Sequence, residues 1–173
     1  VRGSEAAALM GKAYLSLGSN VLPERNLASA LHALRQRFGT VAASPVYRTT
    51  AIGFDGPDFL NAAALIESDL DVHDLNDWLH ALEDAHGRDR SGPRFGDRPL
   101  DIDIVFYDDL VIEGPGNLRL PRPELRHAFV LKPLVDIAPD FVDPGSGKAL
   151  GELWAQSPER DVPMSVVVLT SPP

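Results

Sequence analysis

Hydrophobic positions recur along the chain in two rhythms, and the rhythm at each place predicts an element. Ala13 to Leu17 is a short apolar run closed by Gly18-Ser19-Asn20, the pattern of a strand running into a turn. Leu27, Leu31, Leu34 and Phe38 then recur at i, i+4, i+7 and i+11, which is one stripe of a helix. Arg35 and Arg37 fall in the last turn, where the dipole favours cations, and Gly39 follows. This predicts an amphipathic helix over Pro23 to Phe38. Val41 to Thr49 reads as a second strand, residues 50–57 as a loop, and Phe59 to Ser68 as a third strand. In an extended chain Leu60, Ala62, Ala64 and Ile66 share the core face, so Phe59 and Asn61 look out the other way.

Asp71, with Asp74 three residues on, can cap a second helix with apolar positions Leu75, Trp78, Leu79, Leu82 and Ala85, stopped by Gly87. Leu100, Ile102 and Ile104 alternate with Asp101 and Asp103 in a fourth strand. The order βαββαβ predicts an α+β fold: a ferredoxin-like core, helices packed on a mainly antiparallel sheet, plus a C-terminal extension. That extension is less regular, with a helix predicted near His127 to Asp136 and a last strand at Met164 to Leu169. Residues 1–9 read as an N-terminal tail or extension without a signal-peptide pattern, and residues 10–173 as a single domain.

Composition narrows the function. The 173 residues are 44% apolar and 24% charged, and no apolar run approaches the roughly 20 residues that span a bilayer. Acidic side chains exceed basic ones by 25 to 16, so the net charge of −9 repels a polyanion and excludes nucleic acid as an expected partner. Cysteine is absent, which removes disulfides and thiolate metal sites; the cytoplasm is the default compartment. The basic residues are unevenly placed, with four arginines between Gly87 and Pro99. A local basic site on an acidic body points to a small anionic ligand.

That segment carries the chemistry. Asp101 and Asp103 lie on one side of a strand at a repeat of roughly 7 Å, opposite the core face. Two such carboxylates repel by about 2 kcal/mol at an effective dielectric of about 20 unless a cation sits between them. Hard oxygen ligands point to Mg²⁺, which bridges to substrate phosphates. Guanidinium forks bind phosphate oxygens bidentately, and a glycine-rich loop carrying Arg88, Arg90, Arg94 and Arg98 could close over a triphosphate. The bland alternatives are a solvated acidic strand face and an arginine loop paired with surface acids. Their adjacency in sequence argues against both. Gly145-Ser146-Gly147-Lys148 is not a phosphate loop, because Val142 and Ala149 stand where Gly and Ser or Thr are needed. His73, His80 and His86 are not spaced to chelate a metal together.

Six segments, in order, carry a resemblance: Leu17-Gly18-Ser19-Asn20; Ser44-Pro45-Val46-Tyr47-Arg48-Thr49; Asp58-Phe59-Leu60-Asn61-Ala62-Ala63; Glu83 with Gly87-Arg88-Asp89-Arg90; Arg94-Phe95-Gly96-Asp97-Arg98-Pro99-Leu100-Asp101-Ile102-Asp103; and Ala128-Phe129-Val130-Leu131 with Pro133-Leu134. Over about Ala13 to Phe141 the chain resembles the 6-hydroxymethyl-7,8-dihydropterin pyrophosphokinases of folate biosynthesis. The resemblance implies a transfer of pyrophosphate from ATP to the pterin hydroxymethyl group, releasing AMP, with two Mg²⁺ ions held by Asp101 and Asp103. It implies that Arg88 and Arg98 are catalytic and phosphate-facing, and that Arg94 and Phe95 lie on the closing loop. Glu83, Ile104, Arg122, Arg126 and His127 would join the ATP site. Thr49, Thr50, Ile52, Phe59, Asn61 and Phe129 would form the pterin site. Several positions depart from the family pattern: Phe95 replaces a tryptophan, Asp97 a proline, Arg122 a phosphate-contacting histidine and His80 a substrate-contacting glutamine, and Arg126-His127 stand where the family has arginine in a slightly longer loop. The expected partners are small molecules only, with the protein a monomer.

Overall fold

The apolar stripe of the first helix becomes a packing face. In the computed structural model, which describes residues 10–50, 56–87, 97–113 and 118–169, α1 spans Pro23–Phe38 and buries Leu27, Ala30, Leu31 and Leu34. Pro23 starts it with a pre-set φ, and Gly39 at φ 84° ends it in a conformation that favours glycine. The remaining elements are β1 (Gly11–Ser19), β2 (Val41–Ala43), β3 (Val46–Thr49), β4 (Phe59–Ser68), α2 (Val72–Ala85), β5 (Asp101–Tyr107), α3 (Ala128–Ile137), α4 (Leu150–Ala155) and β6 (Ser165–Val167). Asp71 caps α2 by accepting from the Asp74 amide at 2.8 Å, as its spacing predicts.

The strands form one antiparallel sheet in the order β5-β1-β4-β3-β6, with β2 also paired to β4. The strands β5, β1, β4 and β3, with α1 and α2 on one face, reproduce the predicted split βαβ arrangement. Leu15, Leu17, Leu60, Ile66, Ile102 and Ile104 pack against Leu27, Leu34, Leu75 and Leu79 on that face. The opposite face holds Tyr14, Ala63, Val105 and Phe106, covered by Val130, Leu131 and Leu134 of α3 and Leu150 of α4. The candidate site lies on this second face.

Two departures from the sequence reading have local causes. The second strand, predicted as one run over Val41 to Thr49, is broken between β2 and β3 at Ser44-Pro45. Proline has no N–H for the ladder. Ser44 compensates: its amide donates to the Ala63 carbonyl at 2.9 Å, and its Oγ accepts from the Ala63 amide at 2.8 Å. In β5, Tyr14 pairs with Phe106 but Leu15 with Ile104, so Val105 is an inserted residue. Strict alternation therefore fails between Val105 and Phe106, which both enter the α3 side. The short helix α4 and a 3-10 turn at Pro123–Arg126 are not signalled by the apolar pattern.

Candidate active site

The site begins where β1 meets its two neighbours. Gly18 stands in register with Asn61 of β4 on one side and with Asp101 of β5 on the other. A Cβ at Gly18 would come within 3.0 Å of the Asn61 Oδ1 and 3.9 Å of the Phe59 ring. The missing side chain leaves the floor between the two groups open. Two residues back, Ser16 pairs with Asp103 and with Ala63.

On the β5 side, Asp101, Asp103 and Glu83 each place a carboxylate oxygen so that these atoms lie within 4.8 Å of one another. Glu83 reaches the group from α2. It is only 2% exposed, and its Oε2 accepts from the Ile102 amide at 2.9 Å, satisfying an outward N–H of the edge strand β5. Arg122 runs along the same edge: its Nε donates to the Ile104 carbonyl at 2.9 Å, and its Nη2 lies 3.8 Å from Asp103 Oδ1. Burial first, then the charge of Asp101, raises the Asp103 carboxyl to about 7; Glu83 and Glu124 add to this and Arg122 opposes it. Three acids converge here, with the Arg122 guanidinium at their margin. An all-oxygen donor set with excess negative charge fits a hard divalent cation such as Mg²⁺.

On the β4 side, Asn61 is 5% exposed and its Nδ2 donates to Thr49 Oγ1 at 2.6 Å. The bond fixes the amide plane, with Oδ1 toward Gly18. A buried, oriented amide beside a half-buried aromatic, Phe59, suits a flat heterocycle carrying donors and acceptors. Thr50, just beyond β3, is exposed.

The turn after β1 ties the site to the arginine segment. Asn20, 3% exposed, accepts from the Arg98 amide through its Oδ1 at 2.6 Å, and its own amide donates to the Arg98 carbonyl at 3.0 Å. Its Nδ2 also donates to Asp97 Oδ1 at 3.4 Å. At the N-terminus of α3 the Phe129 ring stacks on that of His127, 5.2 Å between centroids and 10° between planes. His127 Nδ1 lies 3.0 Å from Glu159 Oε2.

The structure thus gathers Glu83, Asp101, Asp103 and Arg122 in one group, and Thr49 and Asn61 in a second across Gly18. His127 and Phe129 stand together on α3, and Arg126 is exposed on the 3-10 turn before it. The Ile104 side chain is fully buried in the α1 and α2 core, so it presents only main chain on the acidic side. Ile52, Arg88, Arg94 and Phe95 lie outside the described residues. The sequence marks Gly18 and Asn20 as a strand end and turn but assigns neither a role in the site. A lone glycine in a strand pattern does signal a close approach. The Asn20 clamp joins residues 78 apart and leaves no local signal.

Comparison with known proteins gives one answer. A family model described as 7,8-dihydro-6-hydroxymethylpterin-pyrophosphokinase (HPPK) matches residues 14–139. The 2-amino-4-hydroxy-6-hydroxymethyldihydropteridine pyrophosphokinase of Pseudomonas aeruginosa is 37% identical over 155 residues, covering 87% of this chain and 94% of its own length. That of Methylorubrum extorquens is 40% identical over 158 residues, covering 87% and 99%. That of Synechocystis sp. is 37% identical over 148 residues, covering 83% and 75%. Among solved structures, wild-type HPPK-DHPS of Plasmodium falciparum superposes with a TM-score of 0.72 at 13% identity, over 87% of this chain and 45% of that longer one. The last likeness concerns the fold alone.

Proposed function

The chain belongs to the 7,8-dihydro-6-hydroxymethylpterin-pyrophosphokinase family, which uses ATP and transfers pyrophosphate to hydroxymethyldihydropterin in folate synthesis; from this premise we propose how its own residues divide the work. Asn61, oriented by Thr49, reads the pterin edge, with Phe59 and Phe129 against the ring and the chain from Thr49 through Thr50 to Ile52 completing the pocket. Asp101 and Asp103 are the metal carboxylates, with Glu83 holding the edge of β5 beside them. Bound there, two Mg²⁺ ions would neutralise phosphate charge and orient the triphosphate. Arg88, Arg94, Arg98 and Arg122 bind phosphate oxygens, Phe95 closes with its loop, and Ile104, Arg126 and His127 line the nucleotide side. The hydroxymethyl oxygen gives up its proton to solvent and bonds to the β-phosphorus in line as the bond from that phosphorus to the oxygen of the α-phosphate breaks, so AMP leaves.

The observation that carries this division is the register of Gly18, which separates the oriented amide from the acidic group by one strand. The two reacting groups then meet over a residue with no side chain to obstruct them. The reading extends to a monomer acting in the cytoplasm. Among the described residues no helix is long and apolar enough to cross a membrane. Chromatography of a reaction with ATP, Mg²⁺ and the dihydropterin tests the assignment. Loss of AMP and pterin diphosphate in Asp101→Ala and Asp103→Ala, and a raised pterin KM with an unchanged ATP KM in Asn61→Ala, are expected. Near-full rate in either aspartate variant refutes the metal assignment. An unaltered pterin KM in Asn61→Ala removes that residue from the site.

A further inference from the structure

Glu159 lies twenty residues beyond the last position matched by the family model, in the segment after α4. Its carboxylate nevertheless bridges two groups at the head of α3. Oε2 is 3.0 Å from His127 Nδ1, and Oε1 accepts from the Ala128 amide at 3.1 Å. His127 precedes α3 with extended backbone and makes no side-chain cap of its own, so the first helical N–H is satisfied from the C-terminal segment.

The carboxylate is itself held. The Glu159 amide donates to Ser157 Oγ at 3.1 Å, and its carbonyl accepts from the Val162 amide at 3.0 Å. Arg160 Nη1 donates to the Ala155 carbonyl at 2.8 Å, tying the same turn to the end of α4. Leu150 is fully buried among the side chains of α3, with Leu153 and Trp154 packed beside it. A rigid arm therefore runs from α3 through α4 and returns to the N-terminus of α3.

We propose that Glu159 is a positioning residue for the active site, fixing the parallel His127–Phe129 ring pair through His127 Nδ1 and the Ala128 amide. The ring planes are 10° from parallel, and the two residues flank Ala128. One carboxylate thus restrains the imidazole directly and the phenyl ring through the helix start. The gain is lower ordering cost when substrates bind, because both rings are already set. The inference rests on His127 and Phe129 lining the site.

The test compares Glu159→Ala, Glu159→Gln and Phe129→Ala by steady-state kinetics well below each variant's Tm. Glu159→Ala is expected to raise the dihydropterin KM by about tenfold, the scale of one charged hydrogen bond. Glu159→Gln, which keeps an acceptor for the Ala128 amide and a polar partner for His127, should recover most of that loss. Phe129→Ala should raise the same KM at least as far. A lowered Tm with unchanged KM values in Glu159→Ala, beside a raised KM in Phe129→Ala, makes the glutamate merely structural and overturns the proposal. Unchanged KM values in Phe129→Ala overturn it too, by removing the ring from the site that the functional reading assigns.

Discussion

Asn20 and Arg98, separated by 78 positions in sequence, are joined twice: the Asn20 amide donates to the Arg98 carbonyl at 3.0 Å, and the Asn20 Oδ1 accepts from the Arg98 amide at 2.6 Å. The pair acts as a one-residue ladder between the end of β1 and the chain entering β5. It sets where the Arg98 backbone starts, and so where its guanidinium can reach. Asn20→Ala leaves the Arg98 amide without its side-chain acceptor in a nearly closed place. The expected cost is about 1–3 kcal/mol of stability, measured by urea denaturation. Because Arg98 faces phosphate in the functional reading, kcat should fall more than the pterin KM rises. An unchanged kcat in a folded variant would show that the clamp does not govern the arginine.

The Gly18 position gives a second expectation. Its missing Cβ would meet Asn61 Oδ1 at 3.0 Å, and that amide is pinned from the other end by its 2.6 Å bond to Thr49. Gly18→Ala forces the amide to give by a few tenths of an ångström, and Gly18→Val projects further into the same floor. Both should fold, because the strand pairing is main chain. The pterin KM should rise several-fold in the first and more in the second, at the order of about 1 kcal/mol per step of misfit. If the valine variant binds pterin like the parent, as measured by calorimetry, the floor is not where the heterocycle sits.

Much of the fold and part of the site are legible in the sequence. The α1 stripe from Leu27 to Phe38, the Asp71 cap and the alternation in β4 are local signals, and the helix and strand boundaries follow them closely. The face shared by Asp101 and Asp103 follows from the pleat alone. The acidic group was legible only in part: Glu83 reaches it from a helix on the opposite face, around the sheet edge. Asn20 and Glu159 act through partners 78 and 31 or more positions away. Their side chains obey no period. The Val105 insertion, likewise, is a property of the pair of strands, not of either sequence.

Ser44 separates stability from catalysis. It is 8% exposed, and its Oγ accepts from the Ala63 amide beside the proline that interrupts β2 and β3. Ser44→Ala leaves a buried N–H without its acceptor, for an expected loss of about 1–3 kcal/mol. Ala63 lies two residues past Asn61 on the same face of β4 and packs with Leu131 and Leu134 in the core under α3. Kinetic constants should stay within about twofold below the Tm. A large change in pterin KM with little change in Tm would place Ser44 in the binding machinery instead.

The raised Asp103 carboxyl makes stability depend on pH in a direction opposite to that of an ordinary ion-paired aspartate. Its folded value of about 7 exceeds the ordinary 3.8, because burial and the neighbouring Asp101 charge both penalise ionisation. Between those values the folded protein holds a proton that the unfolded chain has released, so the metal-free protein loses stability as pH rises through the window. Below it the contribution is fully present, and above it the penalty is complete. A divalent cation among Glu83, Asp101 and Asp103 should offset that penalty, and it competes with the proton for the same oxygens. Thermal unfolding with and without Mg²⁺ should therefore show a larger metal-induced rise in Tm at about pH 8 than at about pH 6. Arg122 opposes the upward shift, so Arg122→Ala should move the onset of metal stabilisation to higher pH. In Asp103→Asn this pH-dependent component should vanish. A metal-induced rise that is the same at both pH values in the parent protein would show that the cation does not bind at Asp103.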